Sequence, residues 1–334
     1  MKRFAPAIAA VILIPVGAVT ALPLVRYLQS DREMLTMDQE ARRHASGSFV
    51  KLSDGVTHYE LGGPAAGTPV LLVPGFSTPY NVWDPTYDGL TKAGFRVLRY
   101  ELFGRGFSDR PAARYDAALY DRQILELLDA LAISQVDIAG VSMGGPISVT
   151  FANRHPERVR RVLLFDPGYW TGISLPFGLR LPVLGTYNMA VAVAPGLAKS
   201  QWQDFLHPER YPRYLDPYLE QMRYRGFRRA ILETMRNYLT QDVTAEFQRL
   251  GKSGKPVLLI WGKSDQDVPI ELSAEVRKAI PQAEFHPIDD AAHVPQYEHP
   301  EVVNPIVTEF LTRANAGPAE GRVTGDATKD SSHP

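Results

Sequence analysis

A mostly parallel β-sheet of eight strands, flanked by helices and carrying an inserted helical cap, is the α/β fold this 334-residue sequence predicts. Three observations carry that expectation. Short apolar runs alternate with helical patterns between residues 49 and 313, as βα units around a buried sheet require. The stretch from Tyr169 to Leu250 breaks the alternation and holds no buried strand, and it is too long for a loop in a compact domain. The run Val136–Ala139 leads into Gly140-Val141-Ser142-Met143-Gly144, a G-x-S-x-G pattern that places a serine on a sharp strand-to-helix turn.

The elements follow in order. Met1-Lys2-Arg3 precedes an uncharged, apolar run from Phe4 to Val25, closed by Arg26. About twenty apolar residues can span a bilayer, and the basic start predicts an N-terminus in the cytoplasm. Residues 1–28 are therefore read as a membrane anchor or a signal segment. The small residues Val19-Thr20-Ala21 leave cleavage open, while the length of the run favours a retained anchor. The expected location is membrane-anchored with the catalytic domain outside the cytoplasm, or secreted after cleavage. Residues 29–48 are polar and read as a linker.

Strands are expected at Phe49–Leu52, Thr57–Leu61, Val70–Val73, Arg96–Leu102, Val136–Ala139, Val159–Phe165, Val257–Trp261 and Glu284–Ile288. The middle runs are continuously apolar, as parallel strands covered on both faces are. Helical patterns occupy Tyr120–Leu131, Pro146–Arg154, Leu272–Ile280 and Val302–Arg313. The core thus comprises residues 49–168 and 251–313, with the cap at 169–250. Within the cap, Tyr218–Tyr238 reads as a basic helical segment. Residues 314–334 lack large apolar side chains and should be disordered.

Composition narrows the chemistry. The net charge of -1 gives no basic surface for nucleic acid. The absence of cysteine excludes disulfides, thiolate metal sites and cysteine nucleophiles. The eight histidines form no H-x-x-x-H or H-x-H cluster, so neither a metal nor a cofactor is expected. The sequence says nothing of oligomeric state.

The pentapeptide alone is a weak signal, because Gly-rich turns around serine are common. Its setting strengthens it, since a buried strand precedes it and the apolar positions Ile147, Val149, Phe151 and Ala152 follow. A nucleophilic serine needs a histidine base and a carboxylate to orient that base. His293, on a loop after the last strand, is the base; His286 and His299 suit surface roles. Asp265, just past the strand Val257–Trp261, is the acid, at the sheet edge where ligands bind in open α/β folds. Asp267 is its near rival and Asp166 a more remote one. The oxyanion needs backbone N–H donors, expected from Met143 and from Phe76 in the loop Pro74-Gly75-Phe76-Ser77. Trp170, Phe177 and Leu181 are candidate substrate contacts. Leu175, Leu179, Leu184, Met189, Val191 and Val193 either line an acyl pocket with them or merely pack the cap.

Together these pieces resemble a capped serine hydrolase of the α/β-hydrolase fold, of the esterase/lipase type. They include Glu101-Leu102-Phe103-Gly104-Arg105-Gly106-Phe107-Ser108, Trp261-Gly262-Lys263-Ser264-Asp265 and His293 through Pro300. With the N-terminal segment, the layout is similar to membrane-anchored monoacylglycerol-lipase-like members. The chain order Ser142, Asp265, His293 is the order of that fold. Two positions depart from it: Pro74 stands where relatives carry His, and Glu101 where they carry Asp. The resemblance implies an esterase that forms an acyl-enzyme on Ser142 with hydrophobic or lipid-like esters. Carbon–carbon bond hydrolases and cofactor-free haloperoxidases share similar elbows and remain the alternative. A ligand-binding protein that kept the fold is the non-enzymatic one.

Overall fold

The computed structural model describes residues 21–313. Eight strands form one sheet: β1 (Ser48–Lys51), β2 (Val56–Gly62), β3 (Pro69–Val73), β4 (Arg96–Tyr100), β5 (Val136–Val141), β6 (Val159–Phe165), β7 (Val257–Gly262) and β8 (Glu284–Ile288). Their spatial order is β1-β2-β4-β3-β5-β6-β7-β8. The first two pairings are antiparallel and all the others parallel. This is the mostly parallel, helix-flanked α/β-hydrolase sheet that the sequence predicts.

Continuous apolar strands need cover on both faces, and the sheet has it. On one face Leu71, Leu98, Ile138 and Leu259 pack with the helices Ala117–Ala130 and Gly144–Arg154. On the other, Val70, Leu72, Val97, Ala139 and Ile260 pack with Trp83, Leu90, Val303 and Val307. The helix Ala117–Ala130 starts three residues earlier than its apolar stripe suggests. The Asp116 carboxylate accepts from the N–H groups of Ala118 and Leu119 and caps it. Strand β4 stops at Tyr100 rather than Leu102, because Glu101 turns its carboxylate into the interior against His58. A helix at Asp84–Lys92 escaped the sequence reading, since Pro85 and Gly89 look like turn signals.

Between β6 and β7 lie only helical pieces and turns. The basic segment Tyr218–Tyr238 is not one helix: it divides into Asp216–Gln221 and Phe227–Thr234, with Gly226 between them at φ +94°. The polar stretch read as a linker is tied to this cap. Leu35 exchanges backbone hydrogen bonds with Arg223 and Arg225. The Glu33 carboxylate accepts from the N–H groups of Gly226 and Arg228 at 2.9 and 2.6 Å, capping the second of those helices. Farther on, Arg42 pairs with Asp109 of the core.

Most of the apolar run Phe4–Val25 lies outside the described residues, as does the tail 314–334. Residues 21–30 are helical, and no helix among the described residues is long and apolar enough to cross a membrane.

Candidate active site

The carboxyl ends of five parallel strands converge beneath the cap. Ser142 follows β5 directly and sits at φ +53°, a left-handed conformation that a side chain resists. Surrounding hydrogen bonds hold it there: its N–H donates to Phe165 O, while its carbonyl accepts from Gly145 and Gly168. The flanking glycines are required by space. A Cβ on Gly140 would come within 2.1 Å of Gly144 O, and one on Gly144 within 2.4 Å of Val73 O. The turn therefore aims the serine side chain away from the sheet into a cavity of about 410 Å³, with the helix Gly144–Arg154 behind it.

His293 lies past β8 and lines the same cavity. Its Nδ1 is 2.7 Å from Asp265 Oδ2, and both side chains are buried. The other oxygen of Asp265 accepts from the N–H groups of Asp267 and Val268, so the carboxylate is fixed by its own turn. Asp267 thus supplies a backbone donor to Asp265 and is also among the residues lining the cavity. The structure brings Ser142, His293 and the side chain bonded to it, Asp265, to one edge of the sheet.

Asp166, placed as a remote rival, is closer than its sequence position suggests. It follows β6 directly at φ +41°, is fully buried, and accepts from Gly262 N–H at 2.8 Å. Its Oδ2 makes no hydrogen bond in this geometry, yet ligating atoms of Asp166, Asp265 and His293 all lie within 4.8 Å of one another. Burial and the neighbouring Asp265 raise its pKa well above the usual carboxylate range, which disfavours its ionised form. The same three residues form the group of described side chains whose spacing could hold a metal ion. A fully buried Asp166 whose ionised form is disfavoured and an imidazole already bonded to Asp265 are poorly suited to a cation.

Burial alone would lower the pKa of His293. The Asp265 carboxylate outweighs it, with Asp204 and Asp267 adding to the effect, and pushes it up to about 9. The base must be neutral to act, so kcat/KM should rise about tenfold per pH unit and level off near pH 9. A pH profile on a soluble substrate checks this; a plateau already reached at pH 7 would contradict it. The same charge pair stabilises the fold most below the unfolded histidine pKa of about 6.5, and this contribution is lost as pH rises through about 9.

Phe76 and Met143 both line the cavity, and neither N–H enters a hydrogen bond among the described residues. Both are free to face an oxyanion. Gly75 does not take a left-handed φ, and a Cβ there would sit 3.4 Å from Ser142 Cβ, so the turn itself does not require it. What holds the loop is Arg105, a residue whose role the sequence reading missed. Its guanidinium is fully buried and donates through Nε and Nη2 to Phe76 O, and through Nη2 to Thr234 Oγ1 of the cap. Glu101, in turn, accepts from Phe107 N–H and pairs with His58 at 2.9 Å, which fixes the loop carrying Arg105. The departures at Pro74 and Glu101 thus sit in two loops that Arg105 ties together. Cap residues complete the brace: Tyr218 Oη donates to Ser77 Oγ, and Gln221 Nε2 donates to Ser77 O.

Of the candidate substrate contacts, Trp170 lines the cavity but Phe177 and Leu181 do not. Phe177 is 71% exposed and Leu181 38%, on the outer surface of the cap. Arg236 bonds the carbonyls of Leu179 and Leu181 and holds this segment with those side chains outward. Leu179 and Met189 turn into the cap's own core. None of the apolar cap residues from Leu175 to Val193 singled out in the sequence lines the cavity; Ile173, Leu197 and Leu239 do, with Val268 and Leu272 from the core. An apolar pattern shows that a helix has a buried side, not whether that side meets core or ligand.

A family model described as alpha/beta hydrolase fold matches residues 68–300. The chain is 30% identical to 2-hydroxymuconate semialdehyde hydrolase of Pseudomonas putida, over 75% of this chain and 89% of that one. It is also 30% identical to Lipase 1 of Psychrobacter immobilis, over 72% of this chain and 75% of that one. Among solved structures, the enol-lactonase from Burkholderia xenovorans LB400 superposes with a TM-score of 0.66 at 22% identity, over 80% of this chain and 100% of that one. The likeness to membrane-anchored monoacylglycerol-lipase-like members is not carried by these relatives.

Proposed function

The chain belongs to the α/β-hydrolase-fold family, and from that premise we propose that it is a serine hydrolase that cleaves uncharged carboxylic esters with Ser142, His293 and Asp265. His293 takes the serine proton as the hydroxyl attacks the acyl carbon. The N–H groups of Phe76 and Met143 receive the oxyanion. The imidazolium then protonates the leaving alcohol, and water repeats the sequence on the acyl-enzyme, with Asp265 ionised throughout. The observation that carries the reading is the cavity wall itself. It presents Ser142, His293, an apolar flank of Ile173, Leu197, Leu239 and Leu272 and, among the described residues, no lysine or arginine. A volume of about 410 Å³ is at the small end for ligand sites, which suits one acyl chain of medium length better than a bulkier lipid.

The relatives favour a second reading, carbon–carbon bond hydrolysis, more than they favour the ester one. The substrate in the Pseudomonas putida enzyme's name is a carboxylate, which gains from a cationic partner in its site. Here the described residues of the cavity wall include Asp267 and no lysine or arginine to pair with such an anion. One panel separates the two: p-nitrophenyl esters of rising acyl length against a dienoate ketone of the carbon–carbon type. The ester reading expects turnover of esters with a preference for medium or long chains, and a rate on the dienoate at least about a hundredfold lower. The reverse order would establish the second reading.

Residues 4–25 support a further part of this reading, attachment to a membrane with the catalytic domain outside the cytoplasm. Leu22, Leu24, Val25 and Leu28 on the helical stretch 21–30 are exposed. Full-length protein should stay with membranes through a carbonate wash, and a chain lacking residues 1–28 should not; equal release of both would remove this part.

A further inference from the structure

We infer that the Thr78 hydroxyl is a third donor to the oxyanion, a side-chain group acting beside the N–H groups of Phe76 and Met143. The inference deepens the serine-hydrolase reading and rests on Ser142 being the nucleophile. Thr78 lines the same cavity as Ser142 and His293. A Cβ placed on Gly75 would lie 3.4 Å from Thr78 Oγ1 and 3.4 Å from Ser142 Cβ. The hydroxyl and the nucleophile therefore border one methyl-sized space, beside the loop that carries Phe76.

The hydroxyl is held there and left uncommitted. Thr78 is only 8% exposed, yet its Oγ1 enters no hydrogen bond among the described residues. Nor is that oxygen sealed inside the protein, as the unpartnered Thr86 Oγ1 is, so it opens on the cavity. Neighbouring hydroxyls are already occupied: Ser77 Oγ accepts from Tyr218 Oη, and Ser148 Oγ donates to Gly144 O. A largely buried hydroxyl without a partner, on the wall of a catalytic cavity, points to a group that arrives with the substrate. Its backbone is restrained from both sides. Ser77 O accepts from Gln221 Nε2 of the cap at 2.7 Å, and Pro79 confines the residue before it to extended conformations. Such restraint matters, because a donor stabilises a developing charge most when it is in place beforehand.

The reaction has a use for it. As Ser142 Oγ bonds to the acyl carbon, its proton passes to His293 and the carbonyl π pair moves onto the oxygen. That oxygen then carries three lone pairs, and two backbone N–H groups leave one unserved. The Thr78 hydroxyl donates to the third and keeps its own hydrogen throughout. A hydrogen bond to the full negative charge is stronger than one to the neutral carbonyl, so the gain falls in the transition state.

The test uses Thr78→Val, Thr78→Ala and Thr78→Ser in the full chain, each verified as folded. Turnover of p-nitrophenyl esters is measured beside binding of 1,1,1-trifluorooctan-2-one, which forms a hemiketal oxyanion on Ser142. The valine and alanine variants should each lower kcat about a hundredfold, with KM within about twofold of the parent. Both should weaken the ketone by a similar factor. The limb of the pH profile near 9 should not move, because His293 is untouched. Thr78→Ser keeps the hydroxyl and should stay within about fivefold of the parent, which a residue that only packs the loop through its methyl group would not do. Valine and alanine variants both within about threefold of the parent, a loss confined to KM, or a serine variant as slow as the valine one would overturn the donor. A parent that binds the ketone with the expected dependence on Thr78 but turns over no ester would remove the ester reading and leave the donor standing; ester turnover indifferent to Thr78 would do the opposite.

Discussion

Ser142→Ala lowers kcat by about 10⁴- to 10⁶-fold on the preferred substrate, and His293→Ala does so to a similar extent. The two losses should not add, because each removes the same step: formation of an alkoxide-like nucleophile by proton transfer to the imidazole. What remains is the contribution of the cavity and the N–H groups of Phe76 and Met143, about 10³- to 10⁴-fold over water. Steady-state rates on both single variants and on the double variant check this. A double variant more than about a hundredfold slower than either single would mean that the residues act in separate steps. Ser142→Gly adds a structural control. Glycine tolerates φ +53° where serine is strained, so this inactive variant should be more stable than the parent by about 1 kcal/mol. A melting temperature that falls instead would mean that the elbow is not under strain.

The second large effect separates two neighbouring carboxyls. Asp265→Asn should cost about 10⁴-fold in kcat, since the amide cannot balance an imidazolium and can force the wrong tautomer on His293. It should also move the pH limb of kcat/KM down from about 9, because the largest charge raising the imidazole pKa is gone. Asp166→Asn should stay within about threefold of the parent. Burial already disfavours a charge on Asp166, and a carboxamide keeps the acceptor for Gly262 N–H without one. Rates and pH profiles of the two variants, measured together, decide between the carboxyls. Equal losses would mean that the two carboxyls act together rather than Asp265 alone.

The sheet was legible because continuous Val, Leu and Ile runs such as Val70–Val73 and Val257–Trp261 can be buried on both faces only in this arrangement. The convergence of Ser142, Asp265 and His293 was legible because each follows a strand at the sheet's carboxyl edge, where topology alone predicts it. Arg105 could not be found that way. A charged residue in a Gly-rich loop reads as solvent-facing, and only the fold shows its guanidinium closing on Phe76 O and Thr234 Oγ1. Asp166 was undervalued for a related reason: its importance lies in contact with Asp265, almost a hundred residues away in the chain. The cap was misread in detail. Phe177 and Leu181 are apolar yet exposed, while the polar Gln201 and Asp204 face the cavity, so composition pointed to the wrong wall.

The most direct measurement is intact-mass and peptide analysis of the protein after exposure to a fluorophosphonate, in the parent chain and in His293→Ala, each verified as folded. The account expects one stoichiometric adduct on Ser142 in the parent, forming faster as pH rises toward 9, and almost none in the variant. An unlabelled parent, an adduct on another residue, or equal labelling without His293 would contradict the claim that this imidazole activates this serine.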